Sequence, residues 1–169
     1  SSNQFSGIDI SNNPNLTEIN CDDNLLSSLD VSHNSQLSVL TCSYNQIDSL
    51  NISLNQLITN LNCKNNLLSY LNMQNGSNNL LSNFDATQNP SLTCIQVDDT
   101  NYMNTTWSNA KDASANYSIN CGCLLPAAAG AITGLQQVGA CIQQLGITYS
   151  VAPIANATNY VWNLPPLAN

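Results

Sequence analysis

LTEINCDDNLLSSLDVSHN at residues 16–34 and LSVLTCSYNQIDSLNISLN at residues 37–55 are two copies of one pattern. The offset is 21 residues, and it recurs: Cys21, Cys42 and Cys63 are evenly spaced. Each cysteine sits in the same frame, Ile19-x-Cys21-x-x-Asn24, Leu40-x-Cys42-x-x-Asn45 and Leu61-x-Cys63-x-x-Asn66. A second frame runs between them as Ile8-Asp9-Ile10, Leu29-Asp30-Val31, Leu50-Asn51-Ile52 and Leu71-Asn72-Met73. Beyond a loop around Asn75, Gly76 and Ser77 the pattern resumes as Phe84-Asp85-Ala86 and Ile95-Gln96-Val97. Apolar rungs at a fixed period of this length define a solenoid.

Within a rung, apolar residues at i and i+2 point the same way, as alternation along a short strand requires. Coils stacked about 4.8 Å apart pair their backbones and align those side chains into one core. The expected fold is therefore mostly β, with two short strands per coil. The asparagine columns, Asn24, Asn45 and Asn66 on one side and Asn13, Asn34 and Asn55 on the other, fall at the bends. Asparagine bonds turn backbones through its amide and tolerates left-handed φ, so these columns read as a structural ladder.

Composition narrows the function classes. The chain has 169 residues, two Lys (Lys64 and Lys111), no Arg and a net charge of −8. Only 7% of residues are charged, against about 25% in an average soluble protein. Asparagine fills roughly one position in six, while 43% of residues are hydrophobic and can form a core. Without a basic patch to neutralise phosphates, nucleic acid is excluded as a partner. No apolar run approaches the roughly 20 residues of a membrane-spanning helix. With neither an initiator Met nor a secretory leader, the sequence reads as a processed or excised piece.

The phrase L-x-x-L-x-C-x-x-N-x-L-x-x-L-D-V-S-x-N resembles the leucine-rich repeats of Bacteroidetes surface and secreted proteins, over residues 1 to about 121. Asn89 to Asp99, with Trp107 and Tyr117-x-x-Asn120-Cys121, resembles the C-terminal cap of such arrays. The resemblance implies a Cys94–Cys121 disulfide, an extracellular or cell-surface location and export by the type IX pathway. It also departs from those arrays, because the first coil starts at Ser1 with no cap and its strand edge is expected to be open unless covered. Further on, Tyr149 to Ile154 and Ala157 to Pro165 are similar to the first half of immunoglobulin-like (PKD-like) modules. Strands are expected at 131–133, 147–151 and 160–163. That stretch is well short of the roughly 100 residues of an immunoglobulin-like sandwich. The expected organisation is solenoid 1–97, cap 98–123, linker 124–130 and partial immunoglobulin-like module 131–169.

Cys21, Cys42 and Cys63 read as small buried hydrophobes, since stacked parallel Cβ vectors suit neither a bridge nor a metal. Cys94, Cys121, Cys123 and Cys141 are an even set for an oxidising compartment. With the implied pair removed, Cys123 and Cys141 are left for each other. The lone His33 precedes a turn and reads as solvated. Asp22-Asp23 and Asp98-Asp99 put neighbouring carboxylates on opposite faces, so neither is preset as an acid/base dyad. Asp98-Asp99 could contribute to a Ca²⁺ site, but the spacing matches no established loop. With no phosphate loop and no nucleophile elbow, no catalytic residue, metal or cofactor is expected, and the chain does not read as an enzyme.

A binding reading fits better. Outward positions beside the cysteine column, Asn20 and Asp22, Thr41 and Ser43, Asn62 and Lys64, Asp85 and Thr87, form two polar stripes suited to a protein or glycan ligand. The opposite face, Asp9 and Ser11, Asp30 and Ser32, Asn51 and Ser53, is equally polar. The function expected is a non-catalytic recognition or adhesion module. The alternative is a filament subunit that self-associates end to end through its open coil and the incomplete β module.

Overall fold

The computed structural model describes residues 3–122. Cys123, Cys141 and the strands expected after residue 130 lie outside the described residues. Along the chain the strands are β1 (Glu18–Asn20), β2 (Val39–Thr41), β3 (Ser49–Asn51), β4 (Asn60–Asn62), β5 (Tyr70–Asn72), β6 (Asn83–Asp85) and β7 (Cys94–Gln96). Helix α1 (Thr100–Thr106) and strand β8 (Asn116–Ser118) follow. Two parallel sheets result, in the orders β1-β2-β4-β6 and β3-β5-β7-β8.

The registers follow the repeat. Ile19 lies beside Leu40, Leu40 beside Leu61, and Leu61 beside Phe84. On the second sheet Leu50 pairs with Leu71, Leu71 with Ile95, and Ile95 with Tyr117. Each central residue is buried while its strand neighbours are exposed or half-buried, as period 2 demands. Two residues on, Cys42, Ile52, Cys63, Met73, Ala86 and Val97 are fully enclosed. Leu37, Ile47, Ile58, Leu68 and Leu92 fill the core beneath the bends. Each such side chain contributes about 1.5–3 kcal/mol of burial.

Two strands per coil are present from β3 onward. In the earlier coils Ile10 and Val31 are buried at their rungs without forming strands. There the asparagines link the coils instead: Asn34 Nδ2 donates to Ile10 O at 3.1 Å and Asn55 Nδ2 to Val31 O at 3.0 Å.

The first asparagine column is a continuous ladder. Asn45 Nδ2 donates to Cys21 O, Cys42 O and Ser43 O, and its Oδ1 accepts from Leu26 N. Asn66 repeats this with Cys42 O, Cys63 O, Lys64 O and Ile47 N. Asn89 repeats it again in the fourth coil. The asparagines of this column do not themselves take the left-handed bend. That falls one residue earlier, at Asp23, Tyr44, Asn65 and Gln88, with φ between 53° and 61°. Turning there frees the following amide to reach back into the neighbouring coil.

Past Val97 the solenoid gains one more rung, with Ala115 and Tyr117 buried and β8 extending the second sheet. Asp99 caps α1 by accepting from Asn101 N and Tyr102 N. Trp107 meets Phe84 edge to face, centroids 6.2 Å apart, and its carbonyl accepts from the Tyr117 hydroxyl at 2.7 Å. A Cys94–Cys121 disulfide ties this cap to β7. Asp112 ends the turn ladder: its carboxylate accepts from Gln88 N and Asn89 N. Two coils earlier, Tyr44 N and Asn45 N instead find the carbonyls of Lys64 and Asn65. A side-chain carboxylate thus replaces the backbone that a further coil would supply.

Candidate recognition face

Asn20, Thr41, Asn62 and Asp85 stand side by side across β1, β2, β4 and β6. Asp22, Ser43, Lys64 and Thr87 form the next row. Most of these groups also do local structural work. Asn20 Oδ1 accepts from Asp22 N, Asn62 Oδ1 from Lys64 N, and Asp85 Oδ1 from Thr87 N. These i to i+2 Asx bonds end each strand. Thr87 Oγ1 also donates to Asp85 Oδ1, and Lys64 Nζ lies 3.7 Å from Asp85 Oδ2.

Ser43 departs from the expected outward stripe. It is only 3% exposed, and both its N–H and hydroxyl donate to Asp22 Oδ1, at 2.6 and 2.7 Å. The Asp22 carboxylate of the preceding coil lies against it and covers it. Thr41 is half-buried, with its hydroxyl oxygen enclosed and unpartnered among the described residues. Among the described residues, the groups left for a ligand are the Nδ2 amides of Asn20 and Asn62 and the second carboxylate oxygen of Asp22, with the Lys64 ammonium shared with Asp85.

The second sheet carries the same device, with Asp9, Asp30, Asn51 and Asn72 accepting from the N–H two residues on. Bonds from Ser32, side chain first and then backbone, hold the Asp30 carboxyl below the usual range. The Ser11 backbone N–H does the same for Asp9. A recess of about 230 Å³ opens on this side between Leu29, Asp30, Ser49, Asn51, Ser53 and Leu54.

The residues weighed for chemistry are placed otherwise. His33 is exposed, with Nδ1 3.1 Å from Ser32 Oγ. Asp98 accepts from Gly76 N and Asn78 N, so with the Asp99 cap both carboxylates bind backbone rather than standing open for Ca²⁺. Asp23 takes a left-handed bend while Asp22 holds Ser43. Cys21, Cys42 and Cys63 are free thiols in the core. Burial pushes Cys21 up to about 11 and Cys63 up to about 12, with Cys42 raised as well. Protonated thiols in an apolar column are neither nucleophiles nor metal ligands.

The anchoring roles of Asp98 and Asp112 escape sequence reading. Their partners lie about one coil away, and no local signal marks them. Among the described residues no helix is long and apolar enough to cross a membrane.

Fold and geometry together define a leucine-rich-repeat solenoid, mostly β, with a polar strand face. Residues 125–168 match the PKD-like domain family. Among solved structures, the functional domain of InlJ from Listeria monocytogenes, described as including a cysteine ladder, is similar at 27% identity. That match covers 53% of this chain and 24% of the other, with a TM-score of 0.34. A search of curated proteins finds no match.

Proposed function

We propose that this chain is a non-catalytic recognition module of a secreted or cell-surface bacterial protein. It binds a protein or glycan ligand through the face of the first sheet. The observation that carries this reading is the strict register of Asn20, Thr41, Asn62 and Asp85 on four paired strands. Such a face offers the Asn20 and Asn62 amide donors two strands, about 9.6 Å, apart, with the Asp22 carboxylate oxygen and the Lys64 ammonium beside them. The strand backbone is already ordered by the fold, so binding a ligand adds no backbone-ordering cost to that of fixing the side chains. A disulfide in the cap and a PKD-like stretch beside the repeats support an extracellular setting.

The test is binding of the full chain to a printed glycan array and to a panel of purified extracellular proteins. Asn20→Arg and Asn62→Arg are expected to weaken any captured ligand at least about tenfold, while each lowers stability by only about 1 kcal/mol through the lost Asx bond. Ser53→Arg, on the second sheet, is the control. Loss of binding with Ser53→Arg alone would move the site to the recess at Asp30 and Asn51, and absence of any ligand would reject the reading.

A further inference from the structure

Between rung 29–31 and β3 the backbone ladder is interrupted. Elsewhere the residue after a strand position donates to the end of the next strand: Cys21 N to Thr41 O, Ile52 N to Asn72 O and Met73 N to Gln96 O. By the same register Val31 N would donate to Asn51 O, and it does not. Val39 N donates to Thr17 O, but its counterpart Ser49 N does not reach Ser27 O. The two coils are joined here by Asp48 N to Ser27 O, at 3.4 Å, and by Asn55 Nδ2 to Val31 O, at 3.0 Å. β3 accordingly has β5 as its one strand neighbour. Val31 N, Ser49 N and Asn51 O therefore remain without a partner among the described residues.

The recess of about 230 Å³ lies at this interruption, with Leu29 and Asp30 from one coil and Ser49, Asn51, Ser53 and Leu54 from the next. Its side chains hold unspent polar capacity. Asn51 uses Oδ1 on Ser53 N, which leaves its Nδ2 and the Ser53 hydroxyl without a partner among the described residues. Ser49 Oγ donates to Asp48 Oδ1 and stays free to accept. Asp30 Oδ1 accepts from Ser32 N at 2.9 Å, and an ionised carboxylate has about four acceptor sites in all. Leu54, 60% exposed, adds apolar carbon to this polar set. The volume is smaller than the roughly 300–1,000 Å³ of sites for drug-sized ligands, so the recess suits a single ring.

We propose that this recess is a second binding site, which holds one neutral sugar ring at the end or branch of a glycan. A sugar hydroxyl both donates and accepts, so one ring can donate to Asp30, accept from Asn51 Nδ2 and exchange bonds with Ser53. Its C–H face lies on Leu54. Other ligand classes match the lining less well. An anion meets the Asp30 carboxylate with no lysine in the lining to offset it. Calcium finds one carboxylate where it takes about 6–8 oxygens. An apolar ligand strips water from Asp30 and Asn51 without replacing those bonds. The site lies on the second sheet and does not depend on the first-sheet reading.

The full chain, isotopically labelled, is titrated with the methyl glycosides of glucose, galactose, mannose and N-acetylglucosamine while its amide resonances are followed by NMR. Saturable binding of at least one glycoside is expected, with shifts at Val31, Ser49 and Asn51 and none at Asn60–Asn62. Asn51→Asp keeps the acceptor for Ser53 N but removes the amide donor and sets a second carboxylate near Asp30, so it should weaken binding about tenfold. Ser53→Arg, which fills the recess, should weaken it at least about tenfold and serves should the Asn51 variant disturb β3. Asn62→Arg, on the first sheet, should leave it unchanged, so failure of either site is read separately. The proposal is overturned by no saturable shift with any of these glycosides, by shifts centred on the first sheet, by equal shifts with glycerol, or by binding that survives the folded variants.

Discussion

Asn45 bridges two coils with one side chain, and its neighbours show how much of that bridge is unique. Cys21 O and Cys42 O keep other amide donors in Asn24 and Asn66, and Ser43 O keeps Asp23 N. Leu26 N–H has only Asn45 Oδ1 among the described residues. Asn45→Ala therefore strands one buried donor and removes three weaker contributions, an expected loss of about 3 kcal/mol in urea unfolding. Asn24→Ala, at the half-buried end of the column, should lose about 1 kcal/mol. A second position runs the other way. Tyr44 holds φ 55° where the equivalent residues are Asp23 and Asn65. Left-handed backbone costs an ordinary side chain about 1–2 kcal/mol, so Tyr44→Asn should raise stability by about 1 kcal/mol and the melting temperature with it.

At the scale of elements, the cysteine column makes the solenoid sensitive to alkali. Its thiols have folded-state values raised above the ordinary 9.0, to about 11 for Cys21 and about 12 for Cys63, by burial. Between those limits the native state binds more protons than the unfolded chain, so stability is complete below pH 9 and declines as pH rises through 9 to 12. Thermal unfolding at pH 8 and pH 10.5 should show this fall, and Cys42→Ala should flatten its slope. The cap responds to a different reagent. Cys94–Cys121 closes a loop of 27 residues, and its reduction should cost about 3–4 kcal/mol by chain entropy, read as a shifted urea midpoint. Both columns and the strand centres were legible because apolar residues at i and i+2 recur with one period. The rung at Ala115 and Tyr117 was not, because α1 separates it from β7 and alanine is a weak apolar mark. Nor was the burial of Ser43, which depends on the Asp22 carboxylate one coil away. The polar face was legible as a set of residues. Which of their atoms stay free was not, since the Asx bonds that occupy them depend on where each strand ends.

For the molecule as a whole, a stack in which each coil touches only its neighbours has a stability profile along its axis rather than a single value. Interior coils are held from both sides, whereas a terminal coil is held from one side unless a cap replaces the missing neighbour. The far end has that replacement in Trp107 on Phe84, the Asp98 and Asp112 carboxylates on the loop amides, and the disulfide. Toward residue 3 the described residues hold no such closure, and Phe5 and Ile8 are exposed. Opening should therefore start at one end. Amide hydrogen exchange followed by mass spectrometry is expected to show strong protection from Leu50 to Val97, weaker protection at Leu40, and the weakest from Ile10 to Cys21. A profile equal at both ends would mean that the cap protects no better than the exposed segment at Phe5 and Ile8, and the polarity argued from Trp107 and Asp112 would fall with it.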